Sequence, residues 1–184
     1  MKFALALTLL TSASAVVANA VPMMNAMFKL KVSDMGPKEI AGKMLTYSMG
    51  NGMLGIHMGM EEFTGYMGPK GMIKGPIMSM KMPMNKLFLR PTNGKPEFAA
   101  RFGDPMMDMM PMRTMWKDWT VCYKTMKMMK MWFLDYNPKT NMEGAMRKNW
   151  VACGNMKEGY NIFMGKMKPG CTMPFQIEVV WQMM

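Results

Sequence analysis

Apolar and polar residues alternate with a period of two in several short runs of the chain. Phe28, Leu30 and Val32 are separated by lysines, and residues 119–123 and 175–181 repeat this alternation. Successive side chains of a β-strand point to opposite faces of the sheet, so this period is typical of a strand with one buried face. The pattern predicts short, half-buried strands.

Turn-forming pairs separate these runs, and the chain contains 17 glycines and 12 prolines. Glycine, proline and asparagine favour turns because they supply the backbone angles that turns require. The pairs are Asn51-Gly52, Asn93-Gly94, Asn137-Pro138 and Pro169-Gly170. Many short strands between turns predict an all-β fold, a single sandwich or barrel-like domain of short antiparallel strands with few short helices.

Two methionine-rich segments interrupt the alternation. Residues 106–110 lie between two prolines, and residues 125–132 contain four methionines. Methionine is a good helix former, whereas proline limits the length of a helix. We expect both segments to be loops or brief helices on the β scaffold.

The first twenty residues have the three parts of a secretory signal peptide. Lys2 is positively charged, residues 3–10 are apolar, and residues 17–20 place small side chains at alternate positions. This order is typical of a cleaved signal, and the apolar run is too short to span a bilayer. We expect residues 1–20 to be a signal peptide and residues 21–184 a single β-rich secreted domain, extracellular or in a cell wall.

The chain is basic, with 23 lysines and arginines against 12 acidic residues, and its formal charge is +11, or +10 without Lys2. In an extracellular protein this charge favours anionic polymers. The lysines are dispersed, and no nucleic-acid-binding motif accompanies them. We expect an anionic cell-wall or matrix polysaccharide as partner, no nucleic acid and no membrane span; a basic surface that only promotes solubility is the alternative.

Three cysteines are present, and in an oxidising compartment two of them should pair. Cys153 and Cys171 are close in sequence and flank a turn-rich segment, so they are the expected bridge. A loop of this size contributes roughly 3 kcal/mol in the chain-entropy model. A bridge from Cys122 to one of the other two is the alternative.

The chain offers few combinations of residues that could form a catalytic site. His57 is the single histidine, and its neighbours indicate the interior of a strand, which favours a structural role over that of a general base. Glu61 and Glu62 are adjacent, so on a strand they would point to opposite faces and could not share a substrate. We therefore expect no catalytic residues, no cofactor and no enzymatic activity.

Methionine occupies 34 of the 184 positions. Thioethers are soft ligands for copper(I), and His57, Met58 and Met60 form the most ligand-like group. The alternating methionines of residues 78–84 would form a row of sulfur atoms on one face of a strand. The other interpretation is that methionine serves as apolar filler, because it is spread over the whole chain.

A group of aromatic residues gives a further alternative, either a platform that stacks on sugars or part of the core, which the alternation favours. The group comprises Trp116, Trp119, Tyr123, Trp132, Phe133 and Tyr136.

Four segments of the C-terminal third, mainly within residues 145–182, form a recognisable pattern. They are Trp150-Val-Ala-Cys153-Gly-Asn, Glu158-Gly-Tyr-Asn-Ile-Phe163, Pro169-Gly-Cys171-Thr and the alternating strand Phe175–Trp181. This pattern resembles small secreted fungal proteins of the PhiA-like cell-wall group, which includes proteins described as hypersensitive-response inducers.

The resemblance implies a β-rich, secreted and non-catalytic protein that is wall-associated, with Cys153 and Cys171 as the bridge of the group. A secreted effector that acts on a host is a variant of this hypothesis. The chain departs from the group in its scarcity of serine, since methionine stands where polar residues would be expected. The alternative function is that of a methionine-rich extracellular copper(I)-binding protein.

Overall fold

The computed structural model describes residues 26–48, 51–75, 85–93, 98–104, 114–126, 129–136 and 150–182. Within these ranges the chain forms one antiparallel sheet of twelve strands that does not close on itself, which confirms the predicted all-β class. The strands are β1 (Met27–Val32), β2 (Thr46–Tyr47), β3 (Leu54–Ile56), β4 (Thr64–Gly68), β5 (Met72–Lys74), β6 (Lys86–Pro91), β7 (Phe98–Gly103), β8 (Trp119–Met126), β9 (Met129–Tyr136), β10 (Trp150–Asn155), β11 (Gly159–Met164) and β12 (Ile177–Trp181). A single 3₁₀ turn, Pro69–Gly71, is the helical element of the described residues.

The strands lie in the order β2-β3-β11-β7-β6-β5-β4-β1-β12-β9-β8, and β10 pairs with β11. The order differs from the chain order because β11 and β12 insert between strands that come earlier in the chain. No helix of the described part is long and apolar enough to cross a membrane.

Two of the alternating runs form neighbouring strands in the interior of the sheet, β1 and β12, and the third forms β8 at its edge. In β1, Phe28, Leu30 and Val32 are fully buried, and the strand pairs along its length with β12, from Phe28 opposite Trp181 to Val32 opposite Ile177. The period of two in both runs thus matches the buried face, as the sequence predicted.

The methionine-rich segment 125–132 contradicts the sequence prediction. Most of it belongs to the two strands of the β8–β9 hairpin and not to a loop or a brief helix. Tyr123 lies opposite Trp132, with ring centroids 5.2 Å apart. Cross-strand packing of this kind outweighs the weak helix preference of methionine. The segments 78–84 and 106–110 lie outside the described residues.

Aromatic rings organise the core. The rings of Trp119 and Trp150 stack at 6.1 Å and 6°. Both indole N–H groups donate to backbone carbonyls, that of Trp119 to Leu87 at 3.1 Å and that of Trp150 to Leu134 at 3.3 Å. The two largest of the fully buried side chains therefore have their polar atoms satisfied.

The disulfide joins Cys153 of β10 to Cys171. Beside it, the Thr172 N–H donates to the Ala152 carbonyl at 2.8 Å. Cys122 remains a free thiol, buried in β8, and burial raises its pKa. The bridge expected from the sequence is thus the one formed, and the alternative through Cys122 is wrong.

Candidate functional site

Two lysines face each other across neighbouring strands near the middle of the sheet. Lys74 at the end of β5 pairs with Lys86 at the start of β6. The adjacent residues Ile73 and Leu87 are fully buried, so the two lysines project from the opposite face. Like charges in this position destabilise a sheet. Core packing does not require this lysine pair, which indicates that the pair has a function other than stabilising the fold.

Trp116 lies beside the lysine pair. The Nζ atoms of Lys86 and Lys117 each lie 5.8 Å from the centroid of the Trp116 ring, within the range of a cation–π attraction. The two ammonium groups are consequently no more than twice that distance apart. We call this set the basic cluster: Lys74, Lys86, Trp116 and Lys117.

A tight turn positions the segment that carries Trp116. Lys70 and Gly71 have φ angles of 56° and 63°, and the Asp118 N–H donates to the Lys70 carbonyl at 3.2 Å. A Cβ atom on Gly71 would lie 2.7 Å from the Trp119 carbonyl oxygen, so only glycine permits this approach. The turn thereby holds the chain before β8 against the end of β4 and adds Lys70 to the neighbourhood.

Two carboxylates border the basic cluster. Asp118 directly follows Lys117, and Asp104 directly follows Gly103, the partner of Lys86 in the sheet. With Lys70 included, the described residues of this region contribute four lysines and two carboxylates, a net positive charge.

The ion pairs of the described residues involve the lysines of β1. Lys29 Nζ lies 2.7 Å from Glu62 Oε2, and Lys31 Nζ lies 3.1 Å from Asp34 Oδ2. Lys31 Nζ is also 3.3 Å from Glu178 Oε2, in an ion pair without hydrogen-bond geometry. Burial raises the pKa of Glu178, and the charge of Lys31 opposes this rise. The lysines of β1 are thus held by carboxylates within the described part of the chain.

His57 is held by hydrogen bonds through both ring nitrogens. Nδ1 lies 3.2 Å from Thr46 Oγ1, and Nε2 lies 3.1 Å from Asn161 Oδ1. With the Asn161 oxygen as acceptor, Nε2 carries a proton, while the Thr46 hydroxyl lies within reach of both Nδ1 and the Gly55 carbonyl oxygen, the latter at 3.3 Å. Met58 and Met60 follow it in an exposed turn. Ligation of copper(I) by His57 would require one of these hydrogen bonds to break.

The aromatic group of the sequence analysis does not form one platform. Trp119 and Phe133 are buried, and the other four side chains are half-buried. Tyr123 and Trp132 pack together on the β8–β9 hairpin, with Lys130 Nζ 5.1 Å from the Tyr123 ring centroid. Trp116 is the member of the group that joins the basic cluster.

Glu61 and Glu62, which were not expected to act together on a substrate, have separate partners. The Tyr47 hydroxyl donates to Glu61 Oε2 at 2.9 Å, and burial, followed by this hydrogen bond, raises the pKa of Tyr47 to about 12. Glu62 instead pairs with Lys29. The described part of the chain contains no group of three or more histidine, cysteine or acidic side chains that could hold a metal ion.

A shallow cleft of about 520 Å³ lies next to the disulfide. Its lining includes Lys38, Glu39, Tyr160, Cys171 and Met173. The two charged residues are exposed, and Tyr160 is buried. The cleft has no group of side chains with an evident chemical role.

Comparison of the chain with protein-family models, with curated proteins and with solved structures finds no match. The resemblance to the PhiA-like group therefore stays a prediction.

Sequence reasoning missed the basic cluster because its members come from three separate segments of the chain. Lys74 and Lys86 meet through the pairing of β5 with β6, and Trp116 approaches β6 through the backbone bridge between Met115 and Leu89. The one available signal was local: each strand lysine adjoins a buried aliphatic residue, which places it on the sheet face opposite to that residue.

Proposed function

We propose that this is a secreted, non-catalytic protein that associates with a cell wall or extracellular matrix by binding an anionic polysaccharide. The observation that carries the proposal is the basic cluster, where Lys74 and Lys86 are held opposite each other and Trp116 lies against two ammonium groups. Such a pair repels in the free protein and would be relieved by a bound anion.

The chemistry of the cluster suits an acidic sugar polymer. The ammonium groups match carboxylate or phosphate groups, and a half-buried tryptophan offers apolar ring surface beside them. The non-catalytic part of the proposal is supported by His57, whose two ring nitrogens are engaged in hydrogen bonds within the fold.

The test compares two triple variants that lose the same charge. The first is Lys74→Gln, Lys86→Gln and Lys117→Gln; the matched control, on exposed lysines of the β10–β11 side, is Lys157→Gln, Lys166→Gln and Lys168→Gln. Binding to polygalacturonate is measured at low salt, with dextran as the neutral polymer. We expect the Kd to rise roughly tenfold in the first variant, because each exposed ion pair contributes between a few tenths of a kcal/mol and about 1 kcal/mol to binding.

The outcomes separate a site from a diffuse charge effect. A much smaller rise of Kd in the control supports the basic cluster as the binding site. Equal rises in the two variants would mean that net charge alone attracts the polymer. Absence of polygalacturonate binding by the unaltered protein at low salt would overturn the proposed function.

The alternative function, copper(I) binding, has one observation in its favour. Met58 and Met60 are exposed beside His57, so their sulfur atoms are accessible to a soft ion. Competition with a copper(I) chelator of moderate affinity tests it: the unaltered protein should withdraw copper(I), and Met58→Leu with Met60→Leu should not. A protein that never withdraws the ion ends this alternative.

A further inference from the structure

All large, exposed hydrophobic side chains of the described residues are methionines. They are Met35, Met58, Met60, Met129, Met156, Met167 and Met173. Exposed apolar side chains are ordinary on protein surfaces, so the informative point here is that all of them are of one type. Leucine would serve equally well as an exposed apolar side chain. The feature that distinguishes methionine from leucine is the thioether sulfur, so we look to the sulfur for a role.

The core shows the opposite distribution. Its aliphatic and aromatic residues include two methionines, Met53 and Met67, each 7% exposed. Oxidation of a buried methionine adds a polar oxygen to an apolar site and disrupts packing. Oxidation of an exposed one places that oxygen in water. Most of the sulfur atoms that an oxidant can reach therefore lie outside the core, where their oxidation does not disturb packing.

We propose that the exposed methionines form a sacrificial surface that consumes peroxide-type oxidants while the fold remains intact. The sulfur attacks one oxygen of hydrogen peroxide, the O–O bond breaks and an S–O bond forms. A proton moves to the departing oxygen and water leaves, so the sulfur is oxidised by two electrons and the peroxide is reduced by two. The product, methionine sulfoxide, is restored by methionine sulfoxide reductases.

Two positions illustrate how the surface accommodates the product. Met58 is 90% exposed in the turn that follows β3, with room for an added oxygen. The Met156 sulfur accepts a hydrogen bond from Lys43 Nζ at 3.5 Å. A sulfoxide oxygen is a stronger acceptor than a thioether sulfur, so this contact would be kept or improved. The proposal is independent of polysaccharide binding.

The experiment titrates hydrogen peroxide into the purified full chain, with peptide mass spectrometry at each dose and thermal unfolding followed by circular dichroism. We expect the seven exposed methionines to gain oxygen several times faster than Met53 and Met67. The Tm should change by less than about 4 °C, the shift of roughly 1 kcal/mol, until the buried pair reacts. Treatment with both stereospecific reductases should then restore the original mass.

Two variants make the test specific. Replacing the seven exposed methionines by glutamine should remove the fast phase of peroxide consumption at these positions, whereas Met53→Leu with Met67→Leu should leave it unchanged. A Tm that falls with the first oxygen atoms added, or equal oxidation rates for exposed and buried methionines, would overturn the proposal. Failure of the reductases to restore the mass would overturn its reversible character.

Discussion

The interior and the surface of this protein differ in how they use methionine. Two of the 29 buried hydrophobic residues in the described part are methionines, whereas the exposed large hydrophobic residues are all methionines. The interior is instead built from branched aliphatic and aromatic residues, which have the stiffness and shape that a sheet requires. The difference indicates that the core follows ordinary β-sheet packing, and that among the described residues methionine is favoured at exposed over fully buried positions.

The largest effect is expected when an aromatic residue of the interior is truncated. Trp150→Ala removes the ring that stacks on Trp119 and leaves a cavity, so the free energy of unfolding should fall by about 3–5 kcal/mol. The matched surface change, Met173→Ala, should alter it by less than about 0.5 kcal/mol. Urea denaturation measures both. Similar losses in the two variants would mean that the surface methionines take part in packing.

The disulfide gives the next largest effect. Replacing Cys153 and Cys171 together by serine should lower the free energy of unfolding by roughly 3 kcal/mol, because the open loop gains entropy in the unfolded chain. A reducing agent should lower the Tm of the unaltered protein and leave that of the double variant unchanged. In the oxidised protein, Cys122 should react with iodoacetamide only after unfolding, since it is buried. A mapped bridge that includes Cys122 would contradict the structure.

The sequence predicted those features that depend on neighbouring residues. The alternation around Phe28 and over 175–181 identified two neighbouring strands of the sheet, β1 and β12, and the spacing of Cys153 and Cys171 indicated the bridge. The β8–β9 hairpin was missed because its strands are stabilised by contacts across the pair, such as Tyr123 with Trp132, which outweigh local preference. The basic cluster was missed for a related reason: strand pairing and a backbone bridge bring it together.

A pH-dependent effect is expected at Glu178, a largely buried carboxyl on β12. Burial raises its pKa above 4.5, so its contribution to stability is fully present below that pH and is lost as the pH rises through the raised value. As the pH rises from 4 towards neutrality, the free energy of unfolding of the unaltered protein should therefore fall relative to that of Glu178→Gln.

The Lys31 partner supplies the control for this titration. Lys31→Gln removes the charge that lowers the pKa of Glu178, so the loss of stability with rising pH should become steeper. Unfolding free energies measured in urea at several pH values give both slopes. A slope of opposite sign would mean that the ion pair outweighs burial.

The smallest effect is expected for a single surface methionine. Met58→Gln preserves the length of a side chain that is 90% exposed, so the free energy of unfolding should stay within about 0.5 kcal/mol of the original value. The same change at Met67, which is 7% exposed on β4, buries an amide among apolar residues and should cost about 1–3 kcal/mol. The pair isolates position from chemistry, because the same atoms are exchanged at both sites. Equal losses of unfolding free energy at the two positions would contradict the distinction between interior and surface. A large difference would show that folding does not require methionine at the exposed position. The sulfur of an exposed methionine is then available for a role other than folding.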